Sequence, residues 1–68
     1  MTTGQKIYYY RKRNGMTLED VAEKCGVQRS VVAKWEKDLV DMKLSRLIQL
    51  ADIFEIDPTE LMPDRNGE

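Results

Sequence analysis

The 68-residue chain has no histidine, one cysteine and two prolines, and no apolar run approaches the roughly 20 residues that a membrane-spanning helix needs. Each shortage excludes something. Without histidine, and with one thiol, a tetrahedral zinc site and Ser-His or Cys-His catalysis have no parts. A lone Cys25 cannot close an internal disulfide, which excludes a stapled secreted mini-protein. The N-terminus lacks the apolar core of a secretory signal. The expected setting is soluble, reducing and cytoplasmic. No metal, cofactor or membrane partner is expected, and the missing catalytic groups argue against an enzyme.

What is present is a small core and many charges. Apolar residues make up 41% and charged residues 34%, too apolar for intrinsic disorder but enough for only one modest core. Charge is unevenly placed. Residues 1–51 carry ten Lys or Arg against six Asp or Glu, a balance of +4. Residues 52–68 carry Arg65 against six acids, a balance of −5, which together give the overall −1. Two readings follow from charge alone: an ordinary solvated surface, or a basic face for a polyanion with a separate acidic end.

Helical periodicity covers nearly the whole chain. Thr3 to Arg13 forms the first periodic segment, with Ile7 and Tyr10 on one face and Asn14-Gly15 as its stop. Thr17 opens a second helix as an N-cap, with Asp20 at the capping-box position and Leu18, Val21, Ala22 and Cys25 at helical spacing. Gly26 interrupts after about eight residues, supplying the positive φ of a tight turn. Gln28 to Lys37 is a third helix, with Val31, Val32 and Trp35 apolar. Two short helices around Cys25-Gly26-Val27 have the pattern of a helix-turn-helix. After a connection over Asp38 to Met42, Leu44 to Phe54 is the most hydrophobic helix and the expected core centre. Asp57-Pro58-Thr59-Glu60 combines an N-cap, Pro at N1 and Glu at N3, predicting a fifth helix carrying Leu61 and Met62. The expected fold is all-α: one compact five-helix domain over residues 1–62, with residues 63–68 a frayed tail.

From Ile7 to Met62 the chain resembles the Cro/repressor-type helix-turn-helix family of phage repressors and xenobiotic-response-element regulators. The likeness is strongest over residues 15–36, where Ala22 allows close helix crossing, Gly26 makes the turn and Val32 packs back between the helices. It implies a sequence-specific, double-stranded-DNA-binding transcriptional regulator of repressor type, with the third helix in the major groove. Carried over by position, the base-reading residues are Gln28, Arg29, Ser30 and Lys34. Arg can grip guanine bidentately, and Gln suits adenine. Phosphate contacts are implied at Thr17 and Leu18, where the second helix begins, and at Lys37 and Lys43. Arg11 and Glu36 occupy the places of a family ion pair with a structural role. Lys12 and Arg13 are left between the DNA backbone and water. A homodimer on paired half-sites would use Phe54, Ile56, Leu61 and Met62.

Four positions depart from the family pattern. Leu18 stands where Gln usually bonds a phosphate, and Gln28 replaces a Ser N-cap. Asp38, with Asp41 nearby, replaces a loop glycine and is expected to repel the DNA backbone. Glu55 replaces the glycine that ends the fourth helix. These departures, with the acidic pI of about 5.4, support the alternative of a protein-interaction module, an adaptor or antitoxin-like partner, with weak or no DNA binding. The remaining residues have plain roles. Tyr10 and Trp35 belong to the core, Tyr8 and Tyr9 pack at the edge of the first helix, Cys25 acts as a small hydrophobe, and Met16, Met42 and Met62 fill gaps.

Overall fold

In a computed structural model that describes residues 1–64, four α-helices are followed by one 3-10 turn, with no strand among the described residues. The helices are α1 (Thr3–Arg13), α2 (Leu18–Cys25), α3 (Arg29–Glu36) and α4 (Leu44–Phe54). The expected tail over 63–68 lies outside the described residues from 65 onward.

Local chemistry sets most boundaries. Thr2 and Gln5 form a capping box that starts α1, and Arg11, Lys12 and Arg13 in its last turn complement the helix dipole. Thr17 and Asp20 form a second box at α2. Gly26 ends α2 at φ 71°, and the Val27 N–H reaches back to the Ala22 carbonyl at 3.0 Å, closing the turn between α2 and α3. Gln28 gives α3 no side-chain cap. Glu55 ends α4 at φ 59°, ψ 48°, a left-handed conformation adopted without glycine.

The fifth element differs from the sequence expectation. Pro58–Leu61 is a single four-residue 3-10 turn rather than an α-helix. Asp57 accepts from the Thr59 N–H at 2.9 Å and from its hydroxyl at 2.7 Å, so the cap serves the second residue of the turn. Glu60 does not close a capping box, because its carboxylate accepts from the Tyr10 hydroxyl at 2.9 Å. Pro63 then holds Met62 extended, at φ −75°, ψ 150°, which ends helical winding.

One core joins all five elements. Ile7 of α1, Val21 and Ala22 of α2, Val32 and Trp35 of α3, and Leu61 of the turn surround Leu47, Leu50, Ala51 and Phe54 of α4. Two of the four residues expected at a dimer surface are therefore corrected. Phe54 is 2% exposed and Leu61 0% exposed, consumed by the core of a single chain. Ile56 is partly buried against that core, and Met62 remains exposed.

The start of α1 is tied to the end of α3. A Cβ on Gly4 would lie 2.5 Å from the Glu36 carbonyl oxygen and 2.6 Å from that of Trp35, so only glycine permits this approach. Asp38, left-handed at φ 59°, accepts from the Gly4 N–H at 2.8 Å and from the Thr2 hydroxyl at 2.5 Å. Its carboxylate thus sits at the positive end of α1. Asp38 therefore has a capping role within the chain that its residue type alone did not indicate.

Candidate nucleic-acid interface

Helix α3 is amphipathic by spacing. Val32 and Trp35 face the core, while Arg29, Ser30 and Lys34 are exposed along the helix and Gln28 is exposed at its start. Arg29, Ser30 and Lys34 therefore share the outward side of α3, and Gln28 is exposed at the residue before it. None of their side chains forms a hydrogen bond or salt bridge among the described residues, so their donors are available to a ligand.

Two open grooves flank this ridge. One lies between α1 and the start of α2, with Tyr8, Lys12 and Arg13 on one wall and Leu18, Ala33 and Lys37 on the other. The second lies toward the α3–α4 connection, lined by Val31, Trp35, Val40, Lys43 and Arg46, with the Asp41 carboxylate among them. The four residues named for phosphate contact therefore divide. Leu18 and Lys37 line the first groove, Lys43 lines the second, and Thr17 is exposed at the mouth of α2.

The start of α2 refines the roles of Thr17 and Leu18. The Thr17 N–H already donates to Asp20 at 2.8 Å, and its hydroxyl accepts from the Asp20 N–H at 3.0 Å. The Thr17 amide is thus engaged inside the protein. The amides of Leu18 and Glu19, in the first turn, have no intrahelical carbonyl to bond and are the free donors there. The hydrogen bond from the Thr17 backbone holds the Asp20 carboxyl below its ordinary range, with the Thr17 hydroxyl adding to the effect.

Arg11 and Glu36 meet beneath the first groove. Arg11 Nε donates to Glu36 Oε2 at 2.6 Å and Nη2 to Oε1 at 3.2 Å, a bidentate pair with both side chains about nine-tenths buried. Arg11 Nη1 also reaches the Met16 carbonyl at 2.9 Å. The pair fixes α1, the loop after it and α3 in one arrangement. On the other side, Arg46 lies 4.9 Å from the Trp35 ring centre and donates to Gln49 at 2.6 Å. It also reaches the Cys25 carbonyl at 3.4 Å, bracing the helix-turn-helix against α4. Cys25 is half-buried, and burial pushes its thiol up.

By residue type and spacing, Lys12 and Arg13 fit either the DNA backbone or water, and Tyr8 fits edge packing on α1. The structure brings all three to the groove beside α3. The i, i+4 spacing of Tyr8 and Lys12 was the available signal, but it names a shared face of α1 without saying what lies opposite.

Residues 7–61 match the family profile described as "Helix-turn-helix". A curated HTH-type transcriptional regulator of Methanocaldococcus jannaschii is 35% identical over 51 residues, covering 75% of this chain and 77% of that protein. Among solved structures, the restriction-modification controller protein C.AhdI from Aeromonas hydrophila is similar with a TM-score of 0.81. It is 30% identical over 88% of this chain and 91% of its own. SinR of Bacillus subtilis, a master regulator for biofilm formation solved in complex with DNA, gives a TM-score of 0.80 at 30% identity. That match covers 88% of this chain and 97% of the SinR chain.

Proposed function

The chain belongs to the Cro/repressor-type helix-turn-helix family, and from that premise we propose that this DNA-binding transcription regulator reads the major groove of double-stranded DNA with α3, acting as a repressor. The observation that carries the reading is the exposed, unpaired set of Arg29, Ser30 and Lys34 on a helical ridge with a cation-bearing groove on each side. A helix of this kind enters a major groove, and the grooves beside it are where the two sugar–phosphate backbones pass. Base edges then fall to Gln28, Arg29, Ser30 and Lys34. Phosphates fall to Lys37, Lys43 and the amide-bearing start of α2 at Leu18, with the Thr17 hydroxyl beside it.

Asp38 supports this reading by its position, because its carboxylate caps α1 instead of standing free beside the duplex. A single domain of this size makes limited contact, so two copies on half-sites about 34 Å apart are the natural arrangement. Pairing through Ile56 and Met62 fits their partial exposure, with Phe54 and Leu61 supporting them from within. The site of action is where the DNA lies, in the cytoplasm.

Selection of bound fragments from randomised duplex DNA, followed by titration of the selected sequence, tests the proposal. Arg29→Ala should weaken the selected duplex by about 1–3 kcal/mol and relax base preference. Lys37→Ala should weaken all sequences alike. Affinity should also fall linearly in log salt concentration, a dependence that an apolar protein–protein contact lacks. A selection that enriches nothing, together with affinities insensitive to both substitutions at low salt, would sink the proposal.

A further inference from the structure

Two side chains beside the reading helix carry no hydrogen-bonding atom and are only partly taken into the core. Leu18, the first residue of α2, and Ala33, inside α3, line the same groove, and both stay partly exposed. Ala33 is the one apolar α3 residue on that groove. It lies four residues after Arg29 and four before Lys37, so a methyl group stands between two cations on one flank of α3.

The charges around this apolar pair suit close approach of a polyanion. Glu36 is the one carboxylate lining the groove, and Arg11 neutralises it in the bidentate pair. The groove toward α4, by contrast, carries Asp41, which forms no salt bridge among the described residues. Leu18 also presents two different groups. Its amide is a free donor in the first turn of α2, the phosphate anchor of the reading above, while its side chain lines the groove next to Ala33.

The major groove displays one apolar group, the C5-methyl of thymine. That group projects from the base edge on the side of its own backbone. An apolar pair set between a phosphate anchor and a row of base-reading side chains stands where such a methyl lies. A hydrogen-bonding base edge at the same place would lose water without gaining a partner.

We infer that Leu18 and Ala33 form a contact site for the C5-methyl group of a pyrimidine, so that the protein reads thymine or 5-methylcytosine at one position of its site. Leucine at residue 18 thereby gives up a side-chain hydrogen bond to phosphate and gains base discrimination. This inference rests on the proposal that α3 reads duplex DNA.

Titration with altered versions of the selected duplex tests it. Each thymine is replaced in turn by uracil, and each cytosine by 5-methylcytosine. At one pyrimidine the methylated base should bind about fourfold more tightly, the effect of burying one methyl-sized group. The two replacement series show whether thymine or 5-methylcytosine supplies the methyl. Leu18→Ala and Leu18→Gln should each bring that ratio close to one. Val31→Ala, on the opposite flank of α3, should leave the ratio unchanged. A ratio taken within one variant is insensitive to a general loss of stability, and circular dichroism melts confirm that each variant is folded. If no pyrimidine responds to its methyl group, or if Leu18→Ala keeps the full ratio, while Arg29→Ala still weakens the selected duplex, the methyl contact is wrong and the reading by α3 stands. If the wild type binds no duplex at low salt, both are overturned.

Discussion

Gly4→Ala provides a test in which helix propensity and packing predict opposite signs. Gly4 lies inside α1, and replacing a helical glycine with alanine ordinarily stabilises by up to about 1 kcal/mol. Here the new Cβ would meet the Glu36 carbonyl oxygen at 2.5 Å, the Trp35 carbonyl oxygen at 2.6 Å and Asp38 Oδ2 at 2.8 Å. Two of those atoms are backbone at the end of α3, held there by helical hydrogen bonds and by the Arg11–Glu36 pair. Relief requires α1 to lift from α3, at the cost of about 1–3 kcal/mol typical of overpacking, with this geometry at the upper end. The net expectation is a loss of about 2 kcal/mol. A chain of this length has roughly 3–10 kcal/mol of total stability, so the loss is large. At about 4–8 °C per kcal/mol, Tm should fall by roughly 8–16 °C in a thermal melt followed by circular dichroism. Adding Asp38→Ala should not restore stability, since both carbonyl contacts remain and α1 loses its acceptor. A Gly4→Ala protein that melts at or above the wild-type temperature would refute the close approach of α1 to α3.

Three further outcomes follow from other contacts. Arg11→Met leaves the Glu36 carboxylate largely buried without its partner and should cost about 3–5 kcal/mol in urea denaturation, whereas Arg11→Met with Glu36→Leu should recover most of it; equal loss in both proteins would contradict this. Glu55→Gly relieves a left-handed residue at the end of α4, and should stabilise by about 0.5–1 kcal/mol after the greater freedom of glycine in the unfolded chain is subtracted, read as a rise in Tm. Asp20 has a carboxyl lowered in the folded state, so its contribution is complete above the unfolded carboxylate pKa and lost as pH falls through the folded value. The Tm gap between wild type and Asp20→Asn should therefore narrow as pH drops below about 4; a constant gap would show that Asp20 does not act as a charged cap.

The helix-turn-helix was legible because its determinants are local. Thr17 with Asp20 starts α2, Gly26 supplies φ 71°, and Ala22 and Val32 sit at the spacing that lets the two helices cross. The same is true of the outward placement of Arg29, Ser30 and Lys34, which follows from the helical period once Val32 and Trp35 are inside. The fifth element was read from a real local signal, Asp57-Pro58, but its form depended on two competing facts: Glu60 is engaged by Tyr10, fifty residues away in sequence, and Pro63 forbids a further turn.

Sequence by itself determined the four α-helices, the Thr17–Asp20 box and the Gly26 turn, because these depend on residue type and on spacing within a turn or two. Tertiary structure decided what the charges do. Asp38 became a cap for α1, Arg11 and Glu36 neutralised each other, and Tyr8 and Lys12 came to face Lys37 across a groove. Phe54 and Leu61 were taken into the core of a single chain. In each case the deciding partner lies on another helix, and the energy of a charge or an apolar surface is set by what stands opposite it, which periodicity along one segment does not specify.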